Sequence, residues 1–186
     1  MQQRVSDALL RLVDGFAADE LCLDRIKEVQ PDEMPAPYRT LLDHRDHMTT
    51  TLERYHGGPV TLRVLQHNES GDAYGRMILL SAVGTDHVVE LGVVRMDLSL
   101  VPEPVRREIL DRSAPLGEIL IRHNVMRLIE PVSYLRLEHD HPYARRLSRA
   151  KDEAVYGRLG VIHCNDAAAI ELLEVVTESR SPGAER

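Results

Sequence analysis

Residues 73–82, Ala-Tyr-Gly-Arg-Met-Ile-Leu-Leu-Ser-Ala, put a permanent cation inside a segment that otherwise reads as a central β-strand. Apolar residues occupy both parities, so both faces of the strand are expected to be covered. Strand side chains alternate, which sets Arg76 on the same face as Tyr74, Ile78 and Leu80. A guanidinium on a mostly apolar face is costly unless an anion meets it. Two kinds of partner satisfy that demand: an internal carboxylate, or the carboxylate of a ligand.

The rest of the chain frames this choice. Its 186 residues suffice for one domain with a sizeable core, 43% of them hydrophobic and 28% charged. With no Trp and a single Phe16, the core must rest on Leu, Val and Ile. A formal charge of −7 argues against nucleic acid as the main partner. Cys22 and Cys164 lie far apart without a CxxC motif, so two free thiols are expected. The N-terminus lacks the apolar run of a signal peptide, and no stretch reaches membrane-spanning length. A soluble cytoplasmic protein is the expectation.

Val5 to Val29 carries helical spacing, with Gly15 as a break near the middle. Pro31, Pro35 and Pro37 mark a connector, Tyr38–His44 a short helix, and Asp46–Tyr55 a turn into a second helix that Asp46 or Thr49 would cap. Val60–Gln66, 73–82 and Val88–Met96 read as an antiparallel meander with turns at 68–72 and 84–86. Glu90 shares a face with Val88, Gly92 and Val94, which makes it the obvious internal partner for Arg76. Pro102–Leu110 and the segment from Pro115 to Asn124 are helical, each with proline at its start. Val132–Glu138 is a strand, Tyr143–Arg149 a basic solvated segment, and 157–164 with 168–176 a final hairpin around Asn165-Asp166. The domain is expected over residues 1–178, followed by a disordered tail at 179–186. No internal repeat, P-loop or dinucleotide fingerprint is evident.

Nine histidines raise the question of a metal. His44-x2-His47 with Asp43 and Asp46, or His139-x-His141, are the candidate ligand groups, but both are better read as polar surface pairs, and no HExxH pattern exists. His163 and Cys164 fall on opposite faces of a strand, the wrong geometry for a nucleophilic dyad. What remains is a constellation suited to an anionic small molecule: Met48 at a helix start, Arg76 in a strand, Pro115-Leu116-Gly117 at another helix start, and carboxylates on neighbouring strands.

The order of these features resembles the chorismate pyruvate-lyases, and more closely their divergent actinobacterial and archaeal-type branch. The matching pieces are Asp46-His47-Met48-Thr49…Leu52-Glu53, Tyr74-Gly75-Arg76-Met77-Ile78-Leu79-Leu80, Val89-Glu90…Val93-Val94, Ala114-Pro115-Leu116-Gly117-Glu118-Ile119-Leu120 and Leu173-Glu174-Val175. They run from about Asp46 to Val176. The resemblance implies a single α+β domain, an antiparallel β-sheet with helices on one face and helical flaps over a buried ligand pocket. It implies conversion of chorismate to 4-hydroxybenzoate and pyruvate without metal or cofactor. The family's carboxylate-binding arginine maps onto Arg76, its assisting backbone amides onto Met48 and Leu116, with Gly117 adjoining, and its pocket glutamate onto Glu174. A one-residue slip of the hairpin would exchange strand faces, so Glu171 is the alternative, and Glu90 is a further candidate acid. The family's Gly-Pro before the last strand is replaced here by Asp166-Ala167.

Two other readings stand beside the lyase. The same fold serves as a non-catalytic effector-binding domain in some bacterial transcription regulators, which normally follow an N-terminal winged helix; the 45 residues before the match are too few for one. A structural protein held by an Arg76–Glu90 salt bridge would bind nothing. Oligomeric state is not readable from the sequence.

Overall fold

A computed structural model describes residues 3–16, 18–147 and 153–179. The Arg76 segment forms β3 (Ala73–Ala82), buried along most of its length. It belongs to a seven-stranded antiparallel sheet with β1 (Ile26–Val29), β2 (Val60–Ser70), β4 (Val88–Asp97), β5 (Arg127–Leu137), β6 (Val155–Cys164) and β7 (Ala167–Val176), in the order β1-β5-β6-β7-β4-β3-β2. Six α-helices occur among the described residues: α1 (Gln3–Val13), α2 (Ala36–Leu42), α3 (Met48–His56), α4 (Glu103–Asp111), α5 (Leu116–Arg122) and α6 (Pro142–Arg146). The architecture is the expected α+β domain. The basic segment ends in α6, with Ser148 and Arg149 outside the described residues, as are residues 180–186 of the anticipated tail.

Local chemistry explains most boundaries. Prolines at the first turns of α2 and α4 donate no hydrogen bond, where none is needed. Gly57 stops α3 at φ 76°. The β6–β7 turn uses Asn165 and Asp166, both left-handed at φ 50° and 67°, the geometry that matches the twist of a two-residue hairpin.

Three expectations need correction. The helical reading of Val5–Val29 fails after Val13, because Ile26–Val29 is a strand paired with β5. Ile26 and Val29 are three apart, which mimics a helical stripe, but they pack on opposite faces of the sheet. Neither Asp46 nor Thr49 caps α3; His47 stands at that position and makes no side-chain capping bond. The chain also carries an internal repeat that the sequence reading did not find. Two helices and a three-stranded meander occur twice, as α2-α3-β2-β3-β4 and α4-α5-β5-β6-β7, joined side by side through the β4–β7 pair. Each middle strand contains the same tripeptide, Tyr74-Gly75-Arg76 in β3 and Tyr156-Gly157-Arg158 in β6.

The alternation of the strands divides the core. Met77, Leu79, Leu91, Val93, Leu173 and Val175 face α1 and α6. On the other face, α2 and α3 pack over Ile78, Leu80, Val89 and Val176, and α4 and α5 over Val94, Ile162 and Leu172. The expected layer of helices thus covers the face that Arg76 points to, and α1 and α6 add a layer on the second face. A cavity lies where the two helix pairs meet above the central strands.

Candidate functional site

The cavity measures about 60 Å³ and is lined from the sheet by Arg76, Glu90, Arg158 and Glu174 among apolar side chains. Its roof is formed by the starts of α3 and α5, at His47, Met48, Leu116 and Gly117. Of the residues singled out in the sequence, Met48, Arg76, Glu90, Leu116, Gly117 and Glu174 therefore meet in one place.

Arg76 is 2% exposed. Its Nη2 donates to the Ala114 carbonyl at 3.5 Å, while Nε and Nη1 are buried without a hydrogen bond. Burial pulls its pKa down, and the neighbouring Tyr74 opposes that shift. Guanidinium nevertheless stays charged in proteins. The Tyr74 hydroxyl lies beside the guanidinium, close enough to favour its charged form, but does not meet strict hydrogen-bond geometry. No carboxylate pairs with Arg76 among the described residues, so the internal Arg76–Glu90 salt bridge does not exist. In the strand register Glu90 stands opposite Leu80, and Arg76 opposite Val94.

The second tripeptide arginine, Arg158, is 1% exposed and is paired with a carboxylate. Its Nε donates to Glu174 Oε2 at 2.6 Å, and its Nη1 donates to the carbonyls of Leu42 at 3.0 Å and His44 at 2.7 Å. Arg158 and Glu174 face each other across the β6–β7 register. The sequence reading passed over Arg158, although the repeated Tyr-Gly-Arg in an apolar strand was the signal available to find it.

Glu90 is buried beside this pair, and its Oε2 makes no hydrogen bond. Burial, reinforced by the nearby Glu174 and opposed by Arg158, raises its pKa well above the usual carboxyl range. Glu171, the alternative acid, points to the opposite face and pairs with Arg11 at 3.2 Å. It does not reach the cavity.

His47 was also missed as a cavity residue. Arg127 Nε donates to its Nε2 and Arg127 Nη1 to the Val125 carbonyl, which leaves the neutral ring with its proton on Nδ1. Burial, with Arg127 and Arg158 nearby, lowers its pKa to about 4. The ring lies over Gly117, where a Cβ would stand 3.0 Å from Nδ1. Glycine is thus what lets the two roof helices close on each other.

The metal candidates are occupied otherwise. His44 Nε2 bonds to the Leu41 carbonyl, Asp43 accepts from the Tyr134 hydroxyl, and His141 Nδ1 accepts from the Tyr143 amide. No group of three or more His, Cys, Asp or Glu side chains placed to hold a metal occurs among the described residues. Cys22 and Cys164 are both free. No described helix is long and apolar enough to cross a membrane.

No protein-family model and no curated protein matches the sequence. Solved structures do. PhnF from Mycobacterium smegmatis superposes with a TM-score of 0.50 over 73% of this chain at 13% identity, and this chain spans 65% of that protein's length. The effector domain of the same PhnF gives 0.48 at 14% identity, over 70% of this chain and 87% of that one. A GntR-family transcriptional regulator from Bacillus cereus gives 0.42 at 10% identity, over 63% and 90%. At 13% identity, the likeness to PhnF is one of fold.

Proposed function

We propose that this protein binds a small ring carboxylate in the cavity between α3 and α5, with Arg76 as the carboxylate's partner. The observation that carries the reading is the buried guanidinium of Arg76 with Nε and Nη1 unbonded. A buried charge without a partner costs several kcal/mol, roughly, and a ligand anion removes that cost. Arg158 supplies the internal comparison: the same tripeptide position in the other half faces Glu174, whereas Arg76 faces Val94. The ligand carboxylate does for Arg76 what Glu174 does for Arg158. Ile78, Leu80, Val94, Ile129, Ile162 and Leu172 give the cavity apolar walls that suit a ring. The fold shared with PhnF is compatible with a domain that binds and releases without chemistry.

A second reading, turnover of chorismate, is favoured by the acids in the same cavity. Arg76 would hold the ring carboxylate, assisted by amides at Met48 and Leu116, while Glu174 engages the ring hydroxyl. The carbinol C–H bond breaks and its proton leaves, the ring C–O bond to the side chain breaks, and enolpyruvate departs with that electron pair. The ring becomes 4-hydroxybenzoate, and enolpyruvate takes up a proton to become pyruvate. Aromatisation supplies the driving force, so orientation and charge neutralisation suffice as the protein's share. In this reading Glu174, which accepts from Arg158 Nε, would take or relay the proton.

One experiment separates the readings. Purified protein is incubated with chorismate and the products are resolved by chromatography, while calorimetry measures 4-hydroxybenzoate binding, each with Arg76→Ala alongside. Binding without product, lost in the variant, supports the effector-type domain. Product lost in the variant supports the lyase. Neither binding nor product from folded protein would overturn both.

A further inference from the structure

Glu90 has a place in the cavity that neither reading explains. It is 4% exposed and lines the cavity, yet its Oε2 has no hydrogen-bonding partner. The charged and titratable groups around it are few. Glu174 faces it from β7, Arg158 from β6, Arg76 from β3 and His47 from the start of α3. Arg158 is committed to Glu174 and two carbonyls, and His47 to Arg127. Arg76 donates to the Ala114 carbonyl and has the Tyr74 hydroxyl beside it, with no carboxylate partner among the described residues.

Two buried carboxyl groups in one cavity do not both ionise cheaply. The position of Arg158 decides between them, because its Nε sits on Glu174 and not on Glu90. Glu90 therefore holds the proton, in keeping with a pKa raised well above the usual carboxyl range. Its Oε2 meets no protein donor or acceptor, so a proton carried there is free for a ligand. A buried donor left unmet is destabilising, and a ligand acceptor removes that cost.

We propose that Glu90 is a ligand-binding residue whose carboxylic acid donates a hydrogen bond to an uncharged oxygen at the end of the ligand remote from its carboxylate. The proposal rests on the reading that Arg76 takes that carboxylate. The register supports two separate poles. Arg76 stands opposite Val94, and Glu90 lies four residues away on the same face of β4. At ~3.3 Å per residue the two attachment points are about 13 Å apart along the strand. Two side chains reaching in from such points grip a molecule at opposite ends of a ring. The ligand class is a ring monocarboxylate with a neutral hydroxyl, carbonyl or ether oxygen across from the carboxylate. A second carboxylate at that end would find the nearby cation, Arg158, already committed to Glu174, and a bare ring would leave Glu90 unmet.

The test compares three probes, 4-hydroxybenzoate, benzoate and terephthalate, by calorimetry at neutral pH against wild type, Glu90→Gln and Glu90→Leu. Wild type should prefer 4-hydroxybenzoate to each of the others by about tenfold or more, equivalent to ~1.4 kcal/mol. Gln, which keeps an N–H donor, should retain most of that preference. Leu should lose the preference over benzoate while binding benzoate at least as well, which also shows that it is folded. Infrared difference spectra add a readout that packing alone does not move: a carboxylic-acid C=O band, absent in Glu90→Gln, that shifts on adding 4-hydroxybenzoate and not on adding benzoate. A preference that survives in Glu90→Leu, or the absence of any acid band removed by Glu90→Gln, would overturn the proposal. Equal wild-type binding of 4-hydroxybenzoate and benzoate would remove the Glu90 contact and leave the Arg76 reading intact. Binding of no probe by wild type would remove both.

Discussion

Arg158 and Glu174 face each other across two paired strands and close a buried ion pair at 2.6 Å. The matching arginine of the other half-sheet, Arg76, faces Val94 and has no carboxylate partner among the described residues. Two halves built alike thus give one cavity with opposite ends, one neutralised internally and one left cationic. That asymmetry gives an apolar pocket a direction, and the substitutions below act on it separately from the fold.

Arg76→Met should stabilise the empty protein and abolish ligand binding. An unpaired buried guanidinium costs stability, and Met fills similar space without charge. The expected gain is about 1–3 kcal/mol, or roughly 2–4 °C in Tm for each kcal/mol in a chain of this size. Wild type at a ligand concentration of 100 Kd should gain about 2.7 kcal/mol, and the variant nothing. Thermal melts with and without 4-hydroxybenzoate measure both. A variant that melts lower than wild type without ligand would mean that Arg76 is a structural residue.

Glu174→Ala should do the reverse to stability. It strands Arg158, which is 1% exposed and held in place by the Leu42 and His44 carbonyls. Removing one partner of a buried pair costs about 3–5 kcal/mol. Glu174→Gln keeps a hydrogen-bond acceptor for Nε and should cost less. Replacing both residues, as Arg158→Met with Glu174→Leu, should recover most of the loss. Urea unfolding of wild type, Arg158→Met, Glu174→Leu and the double forms a double-mutant cycle, and additive losses would show that the pair is not coupled.

The strands of the meander and of the final hairpin were legible because alternation and turn residues agree there. Asn165-Asp166 between two apolar runs is a complete hairpin signal. The first strand was not legible, since four residues with apolar ends three apart fit either period. Arg76 announced itself as a charge in an apolar run. Arg158 carries the same signal in Val155-Tyr156-Gly157-Arg158-Leu159, but the repeat is visible only when the two tripeptides are set side by side. The helix pairs repeat too, Pro35-Ala36-Pro37 with Leu41-Leu42-Asp43 against Pro102-Glu103-Pro104 with Ile109-Leu110-Asp111. A one-residue difference in length hides that match. Which acid Arg158 would bind, and that Glu90 would be left with the proton, depends on strand register across β4, β6 and β7, which local sequence does not encode.

Stability should fall as pH drops from 6.5 toward 4, and a second loss of opposite sign should come from Glu90. His47 and His141 have folded pKa values lowered to about 4 from an ordinary 6.5, mainly by burial. Between those values the unfolded chain binds protons that the folded one does not. Their contribution is complete above 6.5 and is lost as pH falls toward 4, by up to ~1.4 kcal/mol per unit per group, less for the partly exposed His47. Glu90 has the opposite sign. Its folded pKa is raised above the ordinary 4.5, so its contribution is present below that value and is lost as pH rises through the folded pKa. Where the windows overlap the two histidines outweigh it, and its own loss forms the alkaline limb, which ends at the folded pKa of Glu90. Urea midpoints from roughly pH 4 to 9 trace the curve. Glu90→Gln should flatten the alkaline limb, and His141→Gln the acid limb. An alkaline limb unchanged in Glu90→Gln would assign it to another group.

Gly117→Ala should weaken ligand binding, and removing the His47 ring should relieve the effect. The added Cβ would stand 3.0 Å from Nδ1, 3.2 Å from Cγ and 3.3 Å from Cβ of His47. The ring cannot simply swing aside, because Arg127 donates to its Nε2 and is itself anchored on the Val125 carbonyl at 2.8 Å. Overpacking at such a contact costs about 1–3 kcal/mol. The strain falls on the starts of α3 and α5, which roof the cavity, so affinity should drop more than stability does. In a His47→Ala background the same added methyl loses its two nearest contacts, Nδ1 and Cγ. The expected coupling is about 0.5–3 kcal/mol, read from urea unfolding and from 4-hydroxybenzoate affinity of the two single variants and the double. If the two substitutions prove additive, the His47 ring is not what holds position 117 to glycine. The reason would then lie in the approach of a ligand to the Gly117 backbone, which predicts lost affinity with unchanged stability.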